Sequence, residues 1–264
     1  MSMGIQKQNY GDGTVGKALS VLDMVAAHDA PPRFSELLAQ SDLPKATLYR
    51  LLQTLTSQQM LVYDEERGTY GLGVRLMRLA HKCWAQNSLA PIARPHIDAL
   101  SQKIGETVHL AQLDHGQVLY IDKRNARIPV PMMSQAGKIG PAYCTGVGKA
   151  MLAHLPENQM ERVIAEQSFH PYTPQTLSGP DALRAECAEI RAAGIAFDRE
   201  EHEDGIICIA APILSAAGHA VGGLSITKAG RHDALGPLLT FENDLKHTAE
   251  AIAREAEAWS FPGQ

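Results

Sequence analysis

Residues 41–55, SDLPKATLYRLLQTL, are the stretch that most constrains the fold of this chain. Its leucines recur at three- and four-residue steps, which predicts a buried stripe along one amphipathic helix. They are Leu48, Leu51, Leu52 and Leu55. Pro44 suits the first turn of this helix, because its missing N–H would be unpaired there in any case. The opposite face begins with basic and hydrogen-bonding side chains, and their crowding calls for a functional explanation.

The segments on either side of this helix make the pattern more specific. Helical periodicity begins at Thr14, and Ser35 stands where the N-cap of a short second helix belongs. The third helix runs to about Gln58, and MLVYDEERGTYGLG then alternates around a turn at residues 65–68. The order of helix, helix, turn, helix and hairpin is that of a helix-turn-helix with a wing.

The third helix carries side chains suited to DNA. A helix that follows a short turn can enter the major groove with its N-terminal end first. Lys45 and Arg50 suit phosphate oxygens or guanine edges, while Thr47 and Tyr49 suit phosphates or a thymine methyl group. Arg67, at the tip of the hairpin, could reach neighbouring phosphates or the minor groove. The alternative is a small helical bundle whose polar face is only solvated.

Charge and composition narrow the class of protein. The 264 residues carry a net charge of −5, but residues 1–88 hold nine Lys and Arg against eight Asp and Glu. Only this first part could face DNA comfortably, and we include Ser35 among the residues expected to face it. No stretch approaches the ~20 apolar residues of a membrane span, and the N-terminus lacks a secretory signal, so we expect a cytoplasmic protein.

The second half of the chain predicts an α+β domain. Residues 74–86 are helical and could link two domains. Strands then come in adjacent pairs, one pair joined at His115-Gly116 and another around Ala217-Gly218. A helix that ends at Gly194 and a final helix over residues 234–257 flank them. An antiparallel sheet covered by helices accounts for this order better than βαβ repetition does.

A glycine-rich helix start, YCTGVGKAMLA, suggests anion binding. It is not a P-loop, because Tyr143 stands where the first glycine belongs and Ala150 stands where Ser or Thr belongs. Glycines at a helix start still expose backbone N–H groups, which favour a small anion such as a carboxylate. The alternative is an ordinary tight loop.

Cys208 could act as a nucleophile with His202, or could bind a metal with Asp198 and His202. It lies in the continuous apolar run IICIAAPI, however, which predicts a buried and inert thiol. No compact ligand spacing supports a metal site, and the four scattered cysteines fit reduced thiols. We therefore expect no catalytic residue, metal or cofactor.

Several motifs together resemble one family. They are FSELLAQSDLPKATLYRLLQTL, GETVHLAQLDHGQVLYIDK, YCTGVGKAMLA, GIAFDREEHEDGIICIAAPI and GGLSIT. In this order they resemble the IclR-type (isocitrate lyase regulator) transcription regulators over about residues 14 to 257. The polar, Gly-rich composition of residues 1–13 predicts a disordered tail. The resemblance implies a winged helix-turn-helix domain (14–73), a linker helix (74–88) and a GAF-like effector-binding α/β domain with an antiparallel sheet (89–258). It also implies a homodimer, or a dimer of dimers, on double-stranded DNA with a palindromic operator.

The resemblance further implies where a small organic acid effector binds. Backbone contacts fall on Gly146 and Val147, and Ile206 forms part of an apolar wall. The polar lining is Asp198, Cys208, Ser225 and Thr227. The alternation of Ser225 and Thr227 points both side chains to one face of a strand, as a pocket requires.

The segment IPVPMMSQAGKIGPAYCTGVGKA most resembles members that regulate sugar-acid catabolism. We therefore expect a ligand-responsive DNA-binding regulator, most often a repressor in this family, that senses a small carboxylate or a 2-keto-3-deoxy sugar acid. The alternatives are an enzyme that uses the GAF-like domain for catalysis and an activator that senses an aromatic acid with the same domain.

Overall fold

The computed structural model describes residues 13–257 and divides the chain into two compact units between Cys83 and Trp84. The division falls inside helix α4 (Val74–Asn87), within the segment predicted as a linker. The predicted N-terminal tail lies outside the described residues, except for Gly13.

The first unit has the predicted winged helix-turn-helix order. Its further elements are α1 (Thr14–Ala26), α2 (Phe34–Gln40), α3 (Lys45–Ser57), β1 (Leu61–Asp64) and β2 (Thr69–Leu72). The two strands pair antiparallel, with Leu61 opposite Leu72. The leucine stripe of α3 is buried against apolar side chains of α1, α2 and the hairpin. The periodicity of the sequence thus places the polar face of α3 outward.

The start of α2 corrects the prediction for Ser35. The N-cap of α2 is Arg33, and Ser35 is an exposed residue in the first turn. The helix begins earlier because the carboxylate of Glu36 accepts the backbone N–H of Arg33 at 2.6 Å, an arrangement that fixes a helix start. Pro44 likewise is the N-cap of α3 and not a residue of its first turn.

The second unit is a six-stranded antiparallel sheet with helices on both faces. Its strands are β3 (Thr107–Asp114), β4 (Gln117–Arg124), β5 (Ile139–Gly140), β6 (Ala196–Arg199), β7 (Ile206–Leu214) and β8 (Ala220–Ala229). Its helices are α5 (Ala90–Ile104), α6 (Gly146–Leu152), α7 (Glu157–Glu166), α8 (Pro180–Ala193), α9 (Gly236–Leu239) and α10 (Glu242–Glu257). The strand order is β5-β4-β3-β8-β7-β6. The sheet confirms the predicted α+β class.

The final helix, predicted as one element over residues 234–257, is instead the pair α9 and α10. The hydroxyl of Thr240 donates to the carbonyl of Pro237 at 2.7 Å. A side chain that bonds to its own helix in this way competes with the regular backbone ladder, which explains the interruption.

Alternation along the strands gives the sheet two different faces. Helices α5 and α10 cover one face, where Val108, Ile207 and Ile226 are buried. The opposite face carries His109 and Ser225 toward α6. No helix within residues 13–257 is long and apolar enough to span a membrane.

Candidate functional site

Strand register brings the polar residues of the sheet together beneath α6. Asp198 on β6 lies opposite Cys208 on β7, which lies opposite Thr227 on β8. In the next row, Ser225 on β8 lies opposite His109 on β3. Side chains two residues apart on a strand share a face, so these five groups converge on one side of the sheet.

These residues line a small buried cavity. It includes all seven residues predicted for effector binding, namely Gly146, Val147, Asp198, Ile206, Cys208, Ser225 and Thr227. Six more residues complete the lining, namely His109, Tyr120, Ser134, Thr145, His202 and Glu203. The cavity volume is about 30 Å³, which is room for about two water molecules.

Helix α6 approaches the sheet closely at Gly146. A Cβ atom at this position would lie 2.4 Å from the Sγ of Cys208, so the contact requires glycine. The backbone of Gly146 therefore packs directly against this sulfur. Burial, reinforced by Asp198, raises the pKa of Cys208, so the group is a neutral thiol and not a nucleophilic thiolate.

His109 is fixed at the centre of the cavity lining. Its Nε2 lies 2.8 Å from the hydroxyl of Ser134, and its Nδ1 lies 3.3 Å and 3.4 Å from those of Thr227 and Ser225. Burial, and then the nearby Lys123, lower the pKa of His109 to about 3. The imidazole is thus neutral and bonded through both nitrogens.

Asp198 lies on β6, and His202 lies in the turn that follows this strand. Burial, and then repulsion from Glu201, raise the pKa of Asp198 to about 7, although its Oδ1 accepts the Glu201 N–H at 2.8 Å. Burial also lowers the pKa of His202 to about 4. The His202 ring meets the Tyr172 ring edge-on, with centroids 5.0 Å apart. Near neutral pH the cavity therefore presents neutral imidazoles and a partly protonated carboxyl group.

Lys149, which the sequence left beside a possible anion site, has a different role. Its side chain is fully buried, and its Nζ lies 2.6 Å from Glu201 and 2.9 Å from Glu186. Burial alone would lower the pKa of Lys149, but the two carboxylates raise it overall. The ammonium group thus pairs within the protein and anchors the turn that follows β6.

The same turn is held from other directions. Glu200 has a positive φ of 63°, which is strained for a residue other than glycine. Its carboxylate accepts backbone N–H groups of Gly205 and His232 at 2.8 Å and 2.7 Å. The Thr173 hydroxyl donates to the Glu200 carbonyl at 2.6 Å. Strain of this kind persists only where surrounding contacts impose it, so the turn presents a fixed geometry to the cavity.

A short stretch, residues 132–134, covers the cavity, and we call it the covering segment. The backbone N–H of Met133 donates to the Glu203 carboxylate at 3.0 Å, and Lys123 donates to the Ser134 carbonyl at 2.8 Å. With the Ser134–His109 hydrogen bond, these contacts hold the covering segment against the cavity.

The residues predicted for DNA contact lie in the first unit. Lys45, Tyr49 and Arg50 are exposed on α3, whereas Thr47 is half-buried. The Tyr49 ring packs edge-on against Phe34 of α2, with centroids 6.0 Å apart. Arg67 lies in the turn between β1 and β2, and its side chain is 81% exposed. The exposed face of α3 therefore has the composition that DNA contact requires.

Known proteins match both units of the chain. Residues 14–65 match the IclR helix-turn-helix domain, and residues 81–254 match the family described as bacterial transcriptional regulator IclR C-terminal. This chain belongs to the IclR family. It is therefore a DNA-binding transcription regulator with an effector domain, and not an enzyme.

Relatives of known role support this assignment along nearly the whole chain. The HTH-type transcriptional regulator XynR of Escherichia coli is 27% identical, covering 91% of this chain and 96% of the relative. The transcriptional repressor IclR of the same organism is 30% identical, covering 80% and 78%. The crystal structure of the Thermotoga maritima IclR has a TM-score of 0.77 and 29% identity, covering 92% of this chain and 98% of that one.

Metal binding finds no support in the described part of the IclR-family chain. Within residues 13–257, no group of three or more His, Cys, Asp and Glu side chains could hold a metal ion. The alternative metal site of Asp198, His202 and Cys208 is thus not assembled.

Proposed function

We propose that this IclR-family protein is a repressor of a catabolic operon, and that a small carboxylate or sugar acid, such as a 2-keto-3-deoxy sugar acid, controls its DNA binding. The observation that carries this proposal is the convergence of seven predicted residues on one buried polar cavity. The role of repressor is supported by a relative that bears this description, the transcriptional repressor IclR.

The chemistry of the cavity supports an acid as the effector. Below about pH 7 the carboxyl group of Asp198 keeps its proton and can donate it in a hydrogen bond to a carboxylate. The hydroxyls of Ser225 and Thr227 face the same space, as does the start of α6 at Val147.

Effector binding requires the covering segment to move. Ligand sites commonly enclose ~300–1,000 Å³, far more than the 30 Å³ of this cavity. An acid that enters must displace Ser134 from His109 and Met133 from Glu203. The effector therefore favours a conformation in which the covering segment is displaced, and its differential affinity sets how far the equilibrium shifts.

Exposed apolar side chains support a homodimer or a dimer of dimers. Val15 on α1 is 74% exposed, and Met77 on α4 is 73% exposed. An association surface between two copies of the chain would cover such side chains. Two winged domains held at a fixed spacing would bind a palindromic operator far more tightly than one domain.

Two measurements test the proposal. Gel shifts with the DNA upstream of the protein's own gene and its neighbours should show sequence-selective binding, and their absence would contradict the regulator role. Thermal unfolding against small carboxylates and sugar acids should show a hit, because a ligand at ~100 times its Kd adds ~2.7 kcal/mol. The acid found in this way should then weaken operator binding in the gel shift. Stronger binding in its presence would contradict a repressor that its effector releases from DNA.

A further inference from the structure

Hydrogen-bonding groups that face the cavity are mostly paired within the protein, and one buried group is not. Both nitrogens of His109 have hydroxyl neighbours. Glu203 accepts the backbone N–H of Met133, and Asp198 accepts that of Glu201. The Nε2 of His202 is buried and has no hydrogen-bond partner within residues 13–257. Buried polar atoms are normally satisfied, so this nitrogen needs an explanation.

The unpaired nitrogen does not come from a loosely placed ring. His202 is only 9% exposed, and its ring is packed edge-on against Tyr172. The turn before it is held by the ion pair between Lys149 and Glu201 and by the contacts of Glu200. The protein therefore fixes His202 in the cavity lining while leaving Nε2 without a partner of its own.

The protonation state of the His202 ring determines which ligand group can form a hydrogen bond with Nε2. The imidazole is neutral, so its Nε2 is either a donor or an acceptor, according to the tautomer. A hydroxyl group satisfies both tautomers, because it donates and accepts, whereas a carboxylate satisfies only the donor form.

The rest of the lining also favours a hydroxyl group. The thirteen lining residues include no Lys or Arg, but they include the carboxyl groups of Asp198 and Glu203. Both carboxyl groups can accept a hydrogen bond from a hydroxyl group. The ammonium group of Lys123 lies beside the covering segment, and its Nζ donates to the backbone carbonyl of Ser134.

We propose that His202 is the specificity-determining residue of the cavity, and that it selects acids bearing a hydroxyl group by hydrogen bonding to that hydroxyl through Nε2. This inference rests on the proposed function and deepens it. It assigns the preference for hydroxylated over deoxygenated acids to one side chain, whereas Asp198, Ser225 and Thr227 serve either kind of acid.

Matched pairs of acids test the inference. Calorimetric Kd values are measured for lactate against propionate, malate against succinate, and gluconate against hexanoate. We expect the wild-type protein to prefer the hydroxylated member of at least one pair by about tenfold, the size of one net hydrogen bond. His202→Phe, which keeps a ring against Tyr172, should abolish this preference. His202→Gln, which keeps an amide near the position of Nε2, should retain part of it.

Stability without ligand gives a second readout. Because Nε2 has no partner among the residues that the structure describes, His202→Phe should not lower the thermal unfolding midpoint, and a marked drop would overturn the assignment. A preference that persists in His202→Phe, or acids that bind the wild type without any preference, would overturn the inference and leave the proposed function standing. If no acid binds while operator binding is intact, the small-acid effector fails, and the inference fails with it.

Discussion

Single residues in the cavity give folding stability two opposing dependences on pH. The pKa of Asp198 rises from 3.8 to about 7 on folding. The stabilisation that comes from this raised pKa is therefore complete below about pH 4 and is lost as the pH rises to 7. The pKa values of His109 and His202 fall from 6.5 to about 3 and about 4. Their contributions are complete above about pH 6.5 and are lost on acidification.

Asp198→Asn separates these effects. An Asn side chain does not titrate, whereas folded Asp198 keeps its proton up to about pH 7. The free energy of unfolding of the wild type should therefore fall relative to that of the variant as the pH rises from 4 to 7. The slope should not exceed about 1.4 kcal/mol per pH unit, and the difference should be constant above pH 7. Urea denaturation at several pH values measures it, and parallel curves for the two proteins would contradict the raised pKa.

Lys149 should be essential to the stability of the second unit. Lys149→Met would leave Glu201 buried without its counter-charge, and breaking a buried pair typically costs about 3–5 kcal/mol. The double variant Lys149→Met with Glu201→Gln removes that charge as well, so it should unfold at higher urea concentrations than the single variant. A double variant that is no more stable would show that the pair is not the source of the loss.

At the scale of elements, α3 should provide the main contacts with the operator. Lys45→Ala and Arg50→Ala should weaken operator binding, and each lost phosphate contact should reduce the slope of log affinity against log salt by about one. Arg162→Ala, on α7 of the other unit, is the matched control and should leave binding unchanged. Equal effects of all three substitutions would indicate a nonspecific charge effect.

Elements defined by periodicity were predictable from the sequence. The bounds of α3 follow from its leucine stripe, and the hairpin follows from alternation around one turn. The break between α9 and α10 was not predictable in this way, because it depends on one hydroxyl, that of Thr240. The start of α2 depends similarly on the single contact between Glu36 and Arg33.

The cavity was only partly predictable. Seven lining residues came from the family resemblance. The lone histidine in the otherwise apolar start of strand β3, TVHLA, could have indicated His109 as an eighth. Ser134 and Glu203 have no such local signal. They join the site through contacts with His109 and Met133, which are 25 and 70 residues away in sequence. The structural role of Lys149 was hidden for the same reason.

For the whole molecule, the exposed apolar residues of α1 and α4 should control association. Met77→Glu places a charge on a side chain that is 73% exposed, and it should shift the sedimentation coefficient toward that of the monomer and weaken operator binding. Val62→Glu, at a hairpin position that is 55% exposed, is the matched control and should leave the sedimentation coefficient unchanged. A Met77→Glu variant that sediments like the wild type would exclude this surface as the interface.

The covering segment also affects how fast an acid can bind. If an acid can enter only after Ser134 leaves His109, opening of the segment precedes capture. The observed association rate then reaches a plateau as the acid concentration rises, because the opening step becomes limiting. Lid motions occupy microseconds to seconds, so on the plateau the rate of capture is set by the opening of the segment and not by the amount of acid.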